Sequence, residues 1–330
     1  MRKTILVTAI GSFSSAAVID RCKKENYRVL GCDIYPAQWI VASGEVEEFF
    51  QAPLATDQKA FCDFLEKVCK EEHVDFVIPL TDVEVDALQE WRQKAEELGV
   101  ILCMSGYDTI EVCRNKEKLA NFLEPFKICR IIPGRNLAQM VKEEEDTRFE
   151  LLDYPLILKP SRGRSSQGLT EVKNAKEMRY RIQGFGDDLS DYLVQPKIPG
   201  TVITVDVVRN PVTKQIRCLP RREYLRTKGG AGTSVYVFQD AVLEEQCMAV
   251  ARALNIWGCV NFEFVEKEEQ EWYLLECNPR FSGGTAFSSM AGYDMVKNHL
   301  RCFTGEGLEP MGEIKGQYLV KRYQEYRMES

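Results

Sequence analysis

Acidic and amide side chains converge in the last third of the chain. The apolar runs 260–265 and 272–277 flank a charged turn, which predicts the two arms of a β-hairpin. Glu263 lies in the first arm, and Glu276 and Asn278 close the second. Carboxylates at this spacing suit Mg²⁺, which takes one or two of them and fills its remaining positions with water and substrate phosphate. The sequence therefore predicts a metal site at Glu263, Glu276 and Asn278.

Two basic side chains add chemistry suited to an anion. Arg280 follows Asn278 by two residues and offers a planar, permanently charged fork to phosphate or carboxylate. Lys159 ends an apolar run and precedes a loop of small and basic residues at 161–168, whose backbone N–H groups can approach phosphate oxygens closely. Because the lysine precedes its loop, this is not a Walker A loop. The combination favours a polyphosphate ligand, although an ordinary hairpin loop has a similar composition.

A second basic segment lies immediately before the glycine-rich stretch 229–233. We expect a flexible loop beside an anion, with a solvated loop as the alternative. Residues 282–289 are mostly small and are also predicted to form a loop. The basic residues of the segment are Lys214, Arg217, Arg221, Arg222, Arg226 and Lys228.

The elements that must position these residues begin with an alternation of apolar runs and amphipathic stretches over residues 1–110. This pattern is typical of βα units on a parallel sheet. Strands are predicted at 4–8, 28–33, 76–79 and 101–104, and helices at 14–25, 58–71 and 83–98. Further predictions are helices at 109–123, 241–254 and 293–303, strands at 169–172 and 202–208, and a short strand entering a Pro/Gly hinge at 192–200.

The first turn carries Gly11 alone where a dinucleotide fingerprint has three glycines, although Asp33 closes the second strand as a ribose-binding acid would. A dehydrogenase is therefore disfavoured. This turn either binds a small anionic substrate at the helix N-terminus or merely reverses the chain.

Bulk composition narrows the class of protein. A chain of 330 residues predicts two or three domains, and a net charge of −7 argues against a general nucleic-acid or membrane-surface binder. Without a membrane-spanning run or a signal-peptide pattern, we expect a cytoplasmic protein. The 12 cysteines form no C-x-x-C pair, so most thiols should be free. His73 and His299 are the two histidines, and both favour structural roles.

In this order, the motifs resemble the ATP-grasp enzymes. The specific stretches are Y-P-L-I-L-K-P at 154–160, V-Q-P-K-I-P-G-T at 194–201, and E-C-N-P-R-F-S-G-G-T ending at residue 285. The resemblance covers nearly the whole chain. It implies a Rossmann-like α/β domain at 1–110, followed by a two-lobed α+β fold with a central lobe at 111–193 and a C-terminal lobe at 194–330.

The resemblance also implies roles for individual residues. Lys116 and Lys159 match lysines that contact ATP phosphates, the 161–168 loop matches a lid, and residues 195–198 match the hinge against which adenine lies. Glu263, Glu276 and Asn278 match ligands of Mg²⁺, or of Mn²⁺ in its place. Arg280, with Lys159 and Asn278, matches the catalytic set that steadies the transferred phosphate. The implied lid and hinge residues are Ser161, Arg162, Gly163, Ser165, Ser166, Gln195, Pro196, Lys197 and Ile198.

Two positions depart from the family pattern. Gln195 stands where many relatives have a glutamate for the adenine amino group, and its carbonyl oxygen still accepts a hydrogen bond. Val202 stands where a ribose-binding glutamate is usual, which leaves another acid such as Asp206 for that role.

The implied activity is an ATP- and Mg²⁺-dependent ligase that converts a carboxylate into an acyl-phosphate for attack by an amine. The alternatives are a stand-alone protein similar to the carbamoyl phosphate synthase large subunit, which would use bicarbonate or carbamate, and a non-catalytic ATP-binding sensor or accessory subunit. The expected partners are a small carboxylate and an amine, with no nucleic acid or membrane. The oligomeric state stays open, and a homodimer is the state that relatives suggest. Substrate specificity is expected from loops 11–14 and 81–84 together with Arg222, Arg226, Lys228, Ser282, Gly283 and Gly284.

Overall fold

A computed structural model gives the fold and describes residues 2–143, 146–163, 168–185 and 189–328. Within these ranges the strands are β1 Thr4–Val7, β2 Arg28–Asp33, β3 Glu48–Gln51, β4 Phe76–Ile78, β5 Ile101–Leu102, β6 Arg130–Ile131, β7 Arg135–Asn136, β8 Leu156–Pro160, β9 Thr170–Val172, β10 Tyr192–Pro196, β11 Thr201–Arg209, β12 Ile216–Arg226, β13 Gly232–Val237, β14 Gly258–Glu268, β15 Glu271–Asn278 and β16 Gln317–Val320.

The helices of the same ranges are α1 Ser15–Lys24, α2 Gln58–Glu71, α3 Asp82–Glu97, α4 Tyr107–Cys113, α5 Lys116–Leu123, α6 Leu137–Glu143, α7 Ala175–Gly184, α8 Ala241–Ala253, α9 Thr285–Ala291 and α10 Met295–Phe303. Short 3₁₀ turns occupy Ala37–Trp39, Val41–Glu45, Glu124–Phe126 and Asp146–Leu151.

The first sheet is parallel throughout, with strand order β3-β2-β1-β4-β5. Alternate residues of β1 enter different cores, Ile5 and Val7 on one side and Leu6 on the other. Such burial on both faces is typical of a parallel sheet covered by helices. The predicted α/β architecture is therefore confirmed. The edge strand β3 was missed because it carries polar residues and has only half-buried phenylalanines.

The predicted helix at 109–123 is wrong as a single element. It breaks between α4 and α5, where the Asn115 side chain accepts a hydrogen bond of 2.9 Å from the Lys118 backbone N–H. An asparagine at this position caps a new helix. Lys116 consequently lies in the first turn of α5.

A small antiparallel sheet follows, with order β7-β10-β8-β9. It packs with α6 and α7 around a core that includes Leu137, Leu158 and Met178. Strand β8 carries Lys159 directly opposite Leu193 of β10.

The largest sheet has seven strands in the order β16-β13-β12-β11-β14-β15-β6. Its two faces pack against α8 and α10. Two loop predictions are wrong here. The basic segment is mostly the strand β12, and the small-residue loop gives way to α9 at Thr285. The predicted domain limits, after residues 110 and 193, remain predictions.

The expected free thiols are confirmed, since all 12 cysteines are unpaired. No helix in the described parts of the chain is long and apolar enough to cross a membrane.

Candidate functional site

The β14–β15 hairpin brings its polar side chains into one patch. Glu263 lies opposite Glu276, and Asn261 lies opposite Asn278, in antiparallel register. Directly opposed residues project from the same face of a sheet. The Asn278 Nδ2 atom donates hydrogen bonds to Glu276 Oε1 at 3.1 Å and to Asn261 Oδ1 at 3.2 Å. The predicted meeting of the two carboxylates and Asn278 is therefore present in the fold.

The two carboxylates of this patch differ in their electrostatics. Burial and the negative charge of Glu276 raise the pKa of Glu263 to about 7. Burial opposes ionisation of Glu276 as well, but the neighbouring Lys116 ammonium brings the pKa of Glu276 below its usual value. A cation between the two groups would relieve their mutual repulsion.

The donor set of the patch fits Mg²⁺ as a shared ligand of protein and phosphate. Glu263, Glu276 and the Asn278 Oδ1 atom offer oxygen donors only, which magnesium prefers. The described residues contain no group of three or more His, Cys, Asp or Glu side chains that could hold a metal without further ligands. Phosphate or water oxygens would have to complete the coordination.

Two lysines approach the same carboxylates from other elements. The Lys116 Nζ atom lies 3.1 Å from Glu276 Oε2. Lys159 is only 7% exposed, and its ammonium forms no hydrogen bond or ion pair with any residue that the structure describes. Burial and the nearby Lys116 charge lower the pKa of Lys159 to about 8, while Glu276 and Glu263 act in the opposite direction. Lys159 is thus a buried cation whose ammonium has no partner among the described residues, in the field of the hairpin.

Arg280 connects the hairpin to the first sheet. Its Nη2 atom lies 2.7 Å from the Oδ2 atom of Asp82, which opens α3 and is 1% exposed. Asp82 also lies 3.3 Å from the Arg114 guanidinium. Asp82 lies in the predicted specificity loop 81–84, but its contact with Arg280, 198 residues away, was not predicted.

A cleft of about 290 Å³ lies between this hairpin, the loop after β1 and the start of α3. The predicted metal residues line it, together with Arg226, Arg280 and the 282–284 loop. Lys116 and Lys159 do not line this cavity, although both interact with Glu276. Most of the predicted substrate and metal residues therefore share one space: Arg226, Glu263, Glu276, Asn278, Arg280, Ser282, Gly283 and Gly284.

Strand β12 corrects the predicted roles of the basic segment. Arg221, not singled out for a role, lines the cleft, and its guanidinium bonds Asp206 Oδ2 at 2.8 Å and Ser282 Oγ at 2.9 Å. Arg222 projects from the opposite face and binds both carboxylate oxygens of Glu266, because successive residues of a strand alternate in direction. Arg222 therefore does not line the cleft, and this position gives no support to its predicted substrate contact.

Two further predicted residues of this region lie away from the cleft space. Lys228 is exposed in the turn between β12 and β13 and does not line the cleft. Asp206 is fully buried and bonds Arg221 and Ser288 Oγ, so it is not available to ribose. Arg226 does lie at the cleft, with its Nη2 atom 2.9 Å from Glu263 Oε2.

The hinge offers fewer donors than expected. Gln195 is buried and donates from Nε2 to the Ile132 carbonyl at 3.0 Å, which leaves its Oε1 atom as the predicted acceptor. The Lys197 backbone N–H bonds the Pro155 carbonyl, and its ammonium bonds Glu171. Pro196 has no N–H, so Ile198 supplies the remaining backbone donor of the segment. Val202 lies in β11 opposite Val265 and Glu223.

The described start of the predicted lid, residues 161–163, forms hydrogen bonds where α4 ends and α5 begins. The Ser161 carbonyl accepts a hydrogen bond of 2.9 Å from the Lys116 N–H, and the Gly163 carbonyl accepts one of 3.5 Å from Arg114. Arg162 is exposed and pairs with Glu111 at 2.5 Å. Ser165 and Ser166 lie outside the described residues.

The fold and this site define a class of protein. Residues 188–326 match the family model described as ATP-grasp in the biosynthetic pathway with Ter operon, and residues 5–103 match the PylC-like N-terminal domain. The chain therefore carries one region that matches an ATP-grasp family model and another that matches a PylC-like N-terminal domain. The predicted recognition is confirmed.

The chain is also similar to large chains of carbamoyl phosphate synthase. It is 25% identical over 231 residues to the large chain of Thermoanaerobacter sp. (strain X514), covering 66% of this chain and 21% of that protein. It is 22% identical over 331 residues to the N-terminal section of the Aquifex aeolicus large chain, covering 90% of this chain and 58% of that section. The chain therefore spans only about a fifth of the length of the full-length relative.

Solved structures show the same fold. The biotin carboxylase domain of Hydrogenobacter thermophilus 2-oxoglutarate carboxylase, a dimer in complex with MgADP, ADP and bicarbonate, aligns with a TM-score of 0.79 at 17% identity over 96% of this chain and 73% of that chain. The Staphylococcus aureus N5-carboxyaminoimidazole synthetase complexed with ADP aligns with a TM-score of 0.76 at 18% identity over 97% and 83%. The predicted Rossmann-like domain followed by an ATP-grasp fold is confirmed.

Proposed function

We propose that the protein is an ATP- and Mg²⁺-dependent ligase that converts a carboxylate into an acyl-phosphate, which an amine then attacks to form a C–N bond. The observation that carries the proposal is the buried ammonium of Lys159, which has no partner among the described residues and lies in the field of Glu263 and Glu276. A lysine ammonium in that position is matched to the charge of a polyphosphate.

The proposed nucleotide site uses residues from five elements, α5, β8, β10, β14 and β15. Lys116 from α5 and Lys159 from β8 neutralise phosphate charge, and Gln195 Oε1 accepts from the adenine amino group. Glu263, Glu276 and Asn278 hold Mg²⁺, or Mn²⁺ in its place, which when bound supplies charge neutralisation at the phosphates. Phosphoryl transfer depends mainly on positioning and electrostatics, so the site needs no histidine.

The proposed chemistry has two bond exchanges. An oxygen of the substrate carboxylate forms a bond to the γ-phosphorus while the bond from that phosphorus to the β,γ-bridging oxygen breaks, which releases ADP. The amine nitrogen then bonds the carbonyl carbon, phosphate leaves, and the proton of the nitrogen passes to solvent. Arg280, fixed by Asp82, orients the carboxylate and the transferred phosphate in the cleft.

The size and charge of the cleft support a small acid. Its volume of about 290 Å³ and the guanidinium groups of Arg226 and Arg280 match one carboxylate on a short body. Bicarbonate is a second candidate, because the similar biotin carboxylase domain of Hydrogenobacter thermophilus 2-oxoglutarate carboxylase was solved in complex with bicarbonate.

The test is ADP release from MgATP across a panel of amino acids, hydroxy acids and bicarbonate, each with and without amines. Glu276→Gln should lower the rate at least about 100-fold, the scale of removing one electrostatic group from a catalytic site. Glu269→Gln, at an exposed acid in the turn of the same hairpin, is the matched control and should keep full activity. Release that persists at full rate in Glu276→Gln would reject the proposed ligase site, whereas ATP binding without release for every acid would reject the ligase and favour a sensor.

A further inference from the structure

A second cavity of about 720 Å³ adjoins the cleft on the side of the first sheet. It lies beyond the carboxyl ends of β1 and β2, where the loops of an open parallel sheet commonly bind ligands. Its walls come from the loops after these strands, the 3₁₀ turns at Ala37–Trp39 and Val41–Glu45, residues 53–56 and the start of α3. The proposed phosphoryl transfer uses the cleft and leaves this larger cavity without a role.

The outer wall of the cavity is aromatic and apolar. Tyr35 and Trp39 line it with ring centroids 6.0 Å apart, and they are 52% and 74% exposed. Leu54 adds a further exposed apolar side chain. Contiguous exposed hydrophobic groups around a concave surface mark a ligand site more often than an ordinary surface.

The charged groups of the cavity are all acidic. Asp33, Glu45 and Glu84 line it, and no lysine, arginine or histidine does so among the residues described. Glu45 is half-buried and has no hydrogen-bond or ion-pair partner within those residues. Carboxylates combined with aromatic faces attract a cation and repel an anion. The cleft differs, because guanidinium groups stand beside its carboxylates.

Asp33 and Glu84 lie where the two cavities meet. Gly11, Ser12 and Thr81 line both spaces. Asp33 Oδ2 accepts from the Gly11 N–H at 2.8 Å, and Glu84 Oε2 accepts from Thr81 Oγ1 at 2.9 Å. A ligand whose amine lies at this junction would place its body against the rings of the outer wall.

We propose that this cavity binds the acceptor substrate, and that the acceptor is a primary amine carried on an aromatic or apolar body. The amine lies at the junction, beside Asp33 and Glu84 and next to the cleft, and the body packs on Tyr35 and Trp39. This assignment rests on the proposed ligase, because it names the nucleophile of that reaction.

The test is isothermal titration calorimetry on the whole chain without ATP. The probes are tryptamine and 2-phenylethylamine, each paired with an acid of the same ring, indole-3-propionate and 3-phenylpropionate. We expect at least one amine to bind at least tenfold more tightly than its paired acid. Trp39→Ala and Glu45→Gln should each weaken that amine at least fivefold. No amine binding, or equal binding of amine and acid, overturns the proposal.

Matched controls separate a local effect from a loss of folding. Tyr180→Ala removes an equally exposed ring from α7, and Glu96→Gln removes an exposed acid from α3, so both should bind like the unaltered protein. Unchanged affinity in both cavity variants also overturns the assignment, since thermal melting reports whether they fold. Because ATP is absent, amine binding with no ADP release for any acid refutes the ligase alone. ADP release with acid and amine, but without this binding pattern, refutes the cavity alone.

Discussion

Replacing the buried Arg221 should destabilise the protein strongly, through the charge that it leaves behind. The guanidinium lies 2.8 Å from Asp206 Oδ2, and both side chains are almost fully buried. After Arg221→Met, Glu223 keeps Arg226 as a partner at 2.7 Å. Among the described residues, the Asp206 carboxylate keeps only the Ser288 hydroxyl, at 2.7 Å. Removing one partner of a buried ion pair costs about 3–5 kcal/mol.

This loss should be measurable as a lower melting temperature. At roughly 2 °C per kcal/mol for a chain of this size, Arg221→Met should melt about 6–10 °C below the unaltered protein. The neighbouring Arg222→Met is the matched control. Its partner Glu266 is partly exposed, so its loss should cost only about 1 kcal/mol.

A double variant tests the reason for the effect. Asp206→Asn in the Arg221→Met background removes the orphaned charge, and it should recover most of the lost stability, since replacing both members of a buried pair is often near neutral. Differential scanning calorimetry of the four combinations gives the coupling. A double variant that is less stable than Arg221→Met would refute the electrostatic explanation and favour lost packing.

Three other changes have expected outcomes. Burial lowers the pKa of Lys159 to about 8, so ATP affinity measured by calorimetry should fall above pH 8 by up to about tenfold per pH unit. Lys159→Arg should flatten that profile. A flat profile in the unaltered protein would contradict this prediction. Burial lowers the pKa of His299 to about 3, below its value of about 6.5 in unfolded chains, so unfolded protein binds more protons between these values. The free energy of unfolding should therefore decrease as pH falls below about 6.5, by up to about 1.4 kcal/mol per pH unit. Urea unfolding of His299→Gln should show a shallower decrease. Equal slopes of unfolding free energy against pH in the two proteins would refute this prediction. Gly200→Ala would place a Cβ atom 2.1 Å from the Glu266 carbonyl oxygen and should lower the melting temperature. The control Gly44→Ala, whose added Cβ has no neighbouring atom within 4 Å, should not lower it. Equal melting temperatures of the two variants would refute the close approach at Gly200.

The hairpin and the parallel sheet could be predicted because their signals are local. Apolar runs around a charged turn place Glu263 opposite Glu276, and the alternation of the first hundred residues gives βα units. Lys159 was identifiable as the polar end of an apolar strand. The absence of a partner for its ammonium among the described residues could not be predicted, because it depends on every element around Lys159.

The strand β12 shows why other features escaped prediction. Its basic composition favours a solvated loop, and only the tertiary fold pairs Arg221 with Asp206 and Arg222 with Glu266, 15 and 44 residues away. For the same reason the contact of Asp82 with Arg280, which joins two sheets, could not be predicted. Partners at such separations follow from strand order, and no local pattern specifies strand order.

The central claim is the acyl-phosphate, and isotope transfer tests it most directly. The acid that supports ADP release is prepared with ¹⁸O in its carboxylate and incubated with MgATP and the amine, and the phosphate formed is analysed by mass spectrometry. The proposed mechanism predicts one ¹⁸O atom in each phosphate released, and none above background with Glu276→Gln. Phosphate without ¹⁸O, formed at the same rate as product, would contradict carboxylate activation.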